Sequence, residues 1–151
     1  MCKYIVIVVM LFSLPALAND AIEIRQADRL ASTLLNDTSI PLNESTSVLF
    51  DPHTLISGDH EQVLPDYCLL SADAVLNGNL LLLSPRNILC VTDQQKVLES
   101  ELSGFATVNG VAAVPFDCAR TTASGCAEVR LQAGFSVDFQ LTEPTTLRIQ
   151  R

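Results

Sequence analysis

The sequence predicts a mainly β protein, a small antiparallel β-sandwich or barrel preceded by one N-terminal amphipathic helix. From Ser47 onward, short apolar runs alternate with turn residues, a pattern typical of antiparallel strands. Asn109-Gly110 lies between two such runs and is the strongest hairpin signal, because both central residues of a type I′ turn need a positive φ. Residues 135–141 alternate apolar and polar side chains, which indicates a strand with one wet face.

Residues 1–18 are predicted to be a secretory signal peptide. Lys3 gives a short basic region, residues 4–12 are an apolar run too short to span a bilayer as a helix, and Ala16-Leu17-Ala18 supplies small residues for cleavage. An N-terminal membrane anchor is the alternative. Cleavage leaves residues 19–151, exported to an oxidising compartment, and the brief basic region with its sharp cleavage site favours the bacterial periplasm.

Residues 19–36 carry the only clear helical periodicity in the chain. Apolar residues recur at spacings of three and four with charged residues between them, as on one face of an amphipathic helix. One interpretation packs this helix on the domain. The other makes it a partner-binding arm, because residues 37–47 resemble a flexible linker. In that interpretation the partner-binding residues are Ile24, Ala27, Leu30, Ala31 and Leu34.

Residues 48–151 are predicted to form the β-domain. Its candidate strands are residues 48–50, 67–71, 80–83, 88–92, 97–102, 105–108, 111–116, 128–131, 135–141 and 145–149. Turn residues such as Asn77-Gly78-Asn79 and Ser84-Pro85-Arg86 separate them. The mature chain is long enough for one such domain with a modest core.

Four cysteines remain after residue 18, and an even number in a small exported domain predicts two disulfides. They are Cys68, Cys90, Cys118 and Cys126. Three pairings are possible, and we favour Cys68–Cys90 and Cys118–Cys126, each of which joins neighbours in sequence. A four-cysteine zinc site is disfavoured because the sequence has no closely spaced CxxC pair.

Composition argues against several classes of function. The formal net charge is −8, which disfavours binding to nucleic acid and to an anionic membrane surface. His53 and His60 are the only histidines, and their turn-rich polar surroundings favour a structural role over catalysis or metal binding. No serine lies in a Gly-x-Ser-x-Gly motif. We therefore predict no enzyme activity, no catalytic residues, and no cofactor or metal.

Five short segments resemble a known family. They are Leu64-Pro65-Asp66-Tyr67-Cys68-Leu69-Leu70, Ile88-Leu89-Cys90-Val91, Lys96-Val97-Leu98-Glu99, Leu102-Ser103-Gly104-Phe105 and Leu131-Gln132-Ala133-Gly134-Phe135-Ser136-Val137. They are similar to the periplasmic β-domain of TraB/TrbI-type conjugation proteins, which are scaffolds of type IV secretion channels. The chain has Gln94-Gln95 where the family has Asp-Gly, and it has no counterpart of the family's long membrane-crossing antenna.

The resemblance implies a non-catalytic periplasmic subunit, structural or accessory, of an envelope-spanning conjugation or type IV secretion assembly. Such a subunit acts by protein–protein contacts, and its expected partners are other envelope or secretion-channel proteins. A soluble accessory scaffold fits this chain better than a pore-forming subunit. The alternative is a free periplasmic module that binds a small ligand or inhibits an exported enzyme.

Overall fold

The computed structural model describes residues 21–149, and this part of the chain is mainly β with no helix. Its thirteen strands are β1 (Ile22–Ile24), β2 (Arg29–Leu34), β3 (Thr38–Pro41), β4 (Ser45–Ser57), β5 (His60–Val63), β6 (Tyr67–Asn77), β7 (Leu80–Val91), β8 (Val97–Glu101), β9 (Gly104–Thr107), β10 (Asp117–Thr122), β11 (Gly125–Leu131), β12 (Ser136–Leu141) and β13 (Thr145–Ile149). Within residues 21–149, no helix has the length and hydropathy needed to cross a membrane. The predicted signal peptide lies outside the described residues.

Ten strands form one curled antiparallel sheet, a half-barrel, and three form a small second sheet. The order in the large sheet is β1-β13-β8-β7-β6-β4-β2-β12-β9, with β5 paired to β4. The small sheet has the order β10-β11-β3. The prediction of a mainly β, antiparallel fold is therefore confirmed.

Three long strands of the large sheet are interrupted by bends that lie side by side. β1 pairs with β13 and β2 pairs with β12 in one continuous register, so β1 and β2 are two halves of one bent strand, and β12 and β13 are two halves of another. On the other side of this second strand, β8 pairs with β13 and β9 pairs with β12. Across the bends, Ala27 N donates to Leu141 O at 2.8 Å and Thr142 N donates to Ser103 O at 2.9 Å. Ala27 adopts a backbone φ of 71°, which residues other than glycine rarely adopt. The sheet curls along this line of bends.

A β-bulge keeps the same face of β7 buried along its length. The β6–β7 register shifts by one residue after Ser71, which leaves Arg86 as an extra residue on β7. Pro85 and Ile88 are consequently both buried, although they are three residues apart. Leu102 N donates to Arg86 O at 2.7 Å, so the bulge extends the line of bends.

The buried faces of the strands form the core, because successive side chains along a strand point to opposite faces. Phe50 and Phe139 are fully buried and meet edge to face, with ring centroids 5.0 Å apart and an interplanar angle of 87°. Such a pair contributes about 0.5–1.5 kcal/mol beyond the area that it buries. Asp28 is also buried, and its Oδ2 accepts a hydrogen bond from Arg25 N at 2.7 Å in the β1–β2 turn.

The helix predicted over residues 19–36 is wrong throughout its described part. These residues form β1, a turn and β2, and β2 lies between β4 and β12 inside the large sheet. Ile24, Leu30 and Leu34 are buried in the core instead of lining an exposed stripe, Ala27 lies in the turn, and Ala31 is half-buried. The spacings of three and four arise because a four-residue turn separates two strands of period two.

The segment predicted as a linker, residues 37–47, contributes β3 and the first residues of β4. Asp37 Oδ1 accepts a hydrogen bond from Ala133 N at 2.8 Å, and Leu42 N donates to Ala127 O at 2.9 Å. These bonds attach the segment to β11 and to the loop that follows it. Elsewhere, β5 and β10 are strands that the sequence did not predict, the predicted strands 80–83 and 88–92 are one strand, β7, and residues 111–116 precede β10 instead of forming a strand.

Candidate interaction surface

The described chain contains two disulfides, and they are the pairs that the sequence favours. The sulfurs of Cys68 and Cys90 lie at bonding distance, as do those of Cys118 and Cys126. Disulfides persist in oxidising compartments, which agrees with an exported protein. The second disulfide joins β10 to β11 across their hairpin.

The first disulfide fixes which side chains face outward on β6 and β7. Cys68 and Cys90 are directly opposed in the β6–β7 register, and both belong to the buried core. Because side chains alternate along a strand, the next pair in register, Leu69 and Leu89, points to the outer face of the sheet. These two leucines are 39% and 38% exposed.

Other large apolar side chains surround this leucine pair on the outer face. Tyr67 precedes Leu69 on the same face and is 73% exposed. Leu35 N donates to Leu49 O at 3.0 Å, which brings the end of β2 beside β4 and adds two partly exposed leucines. We call this surface the outer leucine patch; it comprises Leu35, Leu49, Tyr67, Leu69, Leu89 and Val91. Clustered apolar side chains on the outside of a sheet are typical of protein–protein contact sites.

A shallow groove runs through the outer leucine patch. Its volume is about 400 Å³, and it is lined by Leu35, Asp51, Asp66, Tyr67, Cys68, Leu69, Leu89 and Val91. Most of the lining side chains are apolar, and the carboxylates of Asp51 and Asp66 lie at the side of the groove, so the groove offers apolar contact together with negative charge.

Carboxylates border the patch on both sides. Asp51 and Asp66 lie on the β4 side, and Glu99 and Glu101 lie on β8, where Glu99 is the register partner of Leu89. None of these four carboxylates makes an ion pair or a side-chain hydrogen bond with another residue in the part of the chain that the structure describes. The border of the patch is therefore negatively charged and unneutralised.

Two ion pairs lie elsewhere on the large sheet. Asp73 of β6 forms an ion pair with Arg86 of β7, and Asp138 of β12 forms one with Arg29 of β2 at 3.2 Å. On the small sheet, Arg120 and Glu128 approach to 3.9 Å. Within residues 21–149 the four border carboxylates make no such ion pair, although Arg148 is the register neighbour of Glu99.

The two histidines lie on exposed parts of β4 and β5. His53 is the extra residue of a bulge in β4, with Nδ1 3.1 Å from the hydroxyl of Thr54, and His60 begins β5; both are exposed. Among residues 21–149, no group of three or more His, Cys, Asp or Glu side chains is arranged to hold a metal ion. The prediction that the chain is not an enzyme stays a prediction.

A second groove of the described chain lies at the small sheet. Its volume is about 730 Å³, and it is lined by Pro115, Phe116, Asp117, Cys118, Ala119, Arg130, Leu131, Gln132, Ala133, Gly134 and Phe135. Asp117 and Arg130 are opposed in register within it. The groove therefore combines apolar side chains with one opposed acidic and basic pair.

Sequence reasoning missed the outer leucine patch, although a signal was present. The residues of the patch occur in apolar runs such as Leu69-Leu70 and Ile88-Leu89-Cys90-Val91, which lack the polar alternation of a strand with one wet face. Consecutive apolar residues in an antiparallel strand place apolar side chains on both faces. Those runs were therefore evidence for a second apolar surface as well as for the core.

Comparison with known proteins assigns no family. No protein-family model matches the chain. A search of curated proteins finds no match either. The function is therefore inferred from the residues and their arrangement.

Proposed function

We propose that this protein is a non-catalytic periplasmic subunit, structural or accessory, of an envelope-spanning conjugation or type IV secretion assembly. It acts by protein–protein contacts with other envelope or secretion-channel proteins, and the outer leucine patch is its contact surface. The single observation that carries the proposal is the cluster of exposed apolar side chains on the outer face of β6 and β7.

The position of the family-like segments supports the same proposal. The segment ending in Tyr67-Cys68-Leu69-Leu70 begins β6, Ile88-Leu89-Cys90-Val91 ends β7, and Val97-Leu98-Glu99 begins β8. These three strands are neighbours in the large sheet. Four of the six patch residues (Tyr67, Leu69, Leu89 and Val91) and the border residues Asp66 and Glu99 thus lie in segments that resemble the conjugation family.

Site-specific photo-cross-linking in the native host tests the proposal. A photoreactive phenylalanine derivative is placed at position 89 in the patch or, as the control, at position 111, where Val111 is 59% exposed outside it. We expect position 89 alone to give an adduct, and mass spectrometry to identify its partner as an envelope or secretion-channel protein. Adducts of equal yield at both positions, or none at position 89, would overturn the proposal.

The alternative is a free periplasmic ligand-binding or inhibitor module, and the groove beside Arg130 favours it. Size-exclusion chromatography of a gentle envelope extract separates the two functions. A subunit of an assembly should elute in a large complex, and the patch substitution Leu89→Ser should release it from that complex. A ligand-binding module elutes as a monomer with or without that substitution.

A further inference from the structure

We infer that the outer leucine patch binds a segment of a partner protein in which apolar residues are flanked by lysine or arginine. This inference rests on the proposed function and adds the chemistry of the partner. Two features carry it: the row of side chains that crosses the patch, and the absence of ion pairs to the carboxylates of its border within the described chain.

A single row of outward side chains crosses the patch perpendicular to the strands. Leu89 pairs with Leu69 on one side and with Glu99 on the other. Phe50 pairs with Leu70, so the next residue of β4, Asp51, lies opposite Leu69. The row therefore reads carboxylate, leucine, leucine, carboxylate across β4, β6, β7 and β8.

The length of this row sets the size of the matching segment. Neighbouring strands lie about 4.8 Å apart, so the two terminal carboxylates are about 14 Å apart across three strand spacings. An extended peptide advances about 3.3 Å per residue, so four apolar residues cover about 13 Å. Two basic residues that flank four apolar ones are five steps, or about 16 Å, apart, so their long side chains can reach carboxylates that lie about 14 Å apart.

The charge of the border selects a basic partner. Arg148 of β13 is the register neighbour of Glu99, yet no ion pair within 4.0 Å joins them in the described chain. Asp51, Asp66, Glu99 and Glu101 thus remain available to cations of a partner. Complementary charge at the edge of an apolar contact speeds association and rejects partners of like charge.

A second copy of this chain fits the patch poorly. A two-fold contact would bring the same carboxylates of both copies together, and each chain carries a net charge of −8. Anionic lipid headgroups would be repelled for the same reason. If the tests below show a second copy or a lipid surface bound at the patch, that result would count against the inference.

Synthetic eight-residue peptides test the partner chemistry with the purified mature chain, residues 19–151. The first peptide has leucine, valine, phenylalanine and leucine between two lysines at each end. In the second the lysines are replaced by glutamates, and in the third the apolar residues are replaced by serines. By fluorescence anisotropy we expect only the first to bind, with an affinity that falls as salt rises from 50 to about 500 mM. Equal binding of the second or third peptide, or no binding of the first, would overturn the inference.

Matched variants locate the binding on the patch. Asp51→Asn with Glu99→Gln removes two border charges, and Asp59→Asn with Glu143→Gln removes two exposed charges elsewhere. We expect the first pair to weaken peptide binding about 5-fold and the control pair by less than about 2-fold, the range of exposed ion pairs. Equal losses would mean general attraction to an acidic protein and would overturn the inference.

The apolar part is tested by Leu69→Ser, with Val63→Ser as the control, since the Val63 side chain is exposed outside the patch. We expect at least about a 10-fold loss for the first and almost none for the second. Circular dichroism verifies that both variants fold. If position 89 cross-links in the host while these peptide tests fail, the partner chemistry is wrong and the proposed function stands. If a dimer that Leu69→Ser dissociates appears in size-exclusion chromatography, the occupant is a second copy.

Discussion

Replacing Leu30 by alanine tests whether residues 22–34 are part of the core or a detachable arm. Leu30 is 0% exposed on β2, which lies between β4 and β12. Its matched control is Leu35→Ala, the same substitution five residues later, at a side chain that is 42% exposed. Both residues belong to the apolar stripe of the helix that the sequence predicts, so a free helix would treat them alike.

The expected difference follows from burial. Removing three carbon atoms from a fully buried leucine costs the transfer free energy of those atoms and leaves a cavity, together about 3 kcal/mol or more. Leu35 is partly solvated in the folded protein, so the same change there costs less than about 1 kcal/mol. The free energy of unfolding should therefore separate the two variants by at least about 2 kcal/mol.

Urea denaturation followed by far-ultraviolet circular dichroism measures this difference, because the chain has no tryptophan for a fluorescence assay. With a slope of about 1.5 kcal/mol per molar urea, Leu30→Ala should lower the midpoint by about 2 M and Leu35→Ala by less than about 0.7 M. Equal midpoints for both variants and the parent protein would mean that residues 22–34 do not contribute to the core. That result would refute the placement of β2.

Substitutions at four further positions test particular contacts. Gly104→Ala should destabilise the domain by about 3 kcal/mol in the same urea assay, because a Cβ at this position would collide with the backbone carbonyl of Gln140. Asp28→Ala should cost about 1–3 kcal/mol whereas Asp28→Asn costs less, since asparagine keeps an acceptor for the backbone N–H of the β1–β2 turn. His53→Ala and His60→Ala should each change stability by less than about 0.5 kcal/mol and leave the metal content measured by mass spectrometry unchanged, because both side chains are exposed.

Local sequence rules predicted the Asn109-Gly110 turn and the disulfides of this protein, because those features depend on near neighbours. Asn109 and Gly110 both adopt positive φ, with angles of 52° and 77°, as the turn prediction requires. The favoured cysteine pairs are those of the structure, since each joins strands that are adjacent in the chain and in the sheet. Contacts between strands that follow each other along the chain can be predicted from the order of the strands alone.

The same rules failed for the first sixteen described residues because long-range pairing decides their conformation. Nothing near Leu30 in sequence specifies β4 or β12, which start some 15 and 106 residues later and hold β2 between them. Helical periodicity is a weak signal in a segment interrupted by a turn, and tertiary pairing overrides it. Leu30, Ser32 and Leu34 are all buried, and this burial of every second residue is the pattern of a strand, which competes with the helical spacing.

The acidic border complements the outer leucine patch, because it limits self-association through the apolar side chains and selects the partner. Exposed apolar side chains on neighbouring strands favour self-association, which natural β-proteins limit with charged residues. Here the carboxylates of Asp51, Asp66, Glu99 and Glu101 make a contact between two copies unfavourable, and they leave the apolar centre open. A basic partner removes that repulsion when it binds. The same residues that keep the free domain from associating with itself would therefore select its partner.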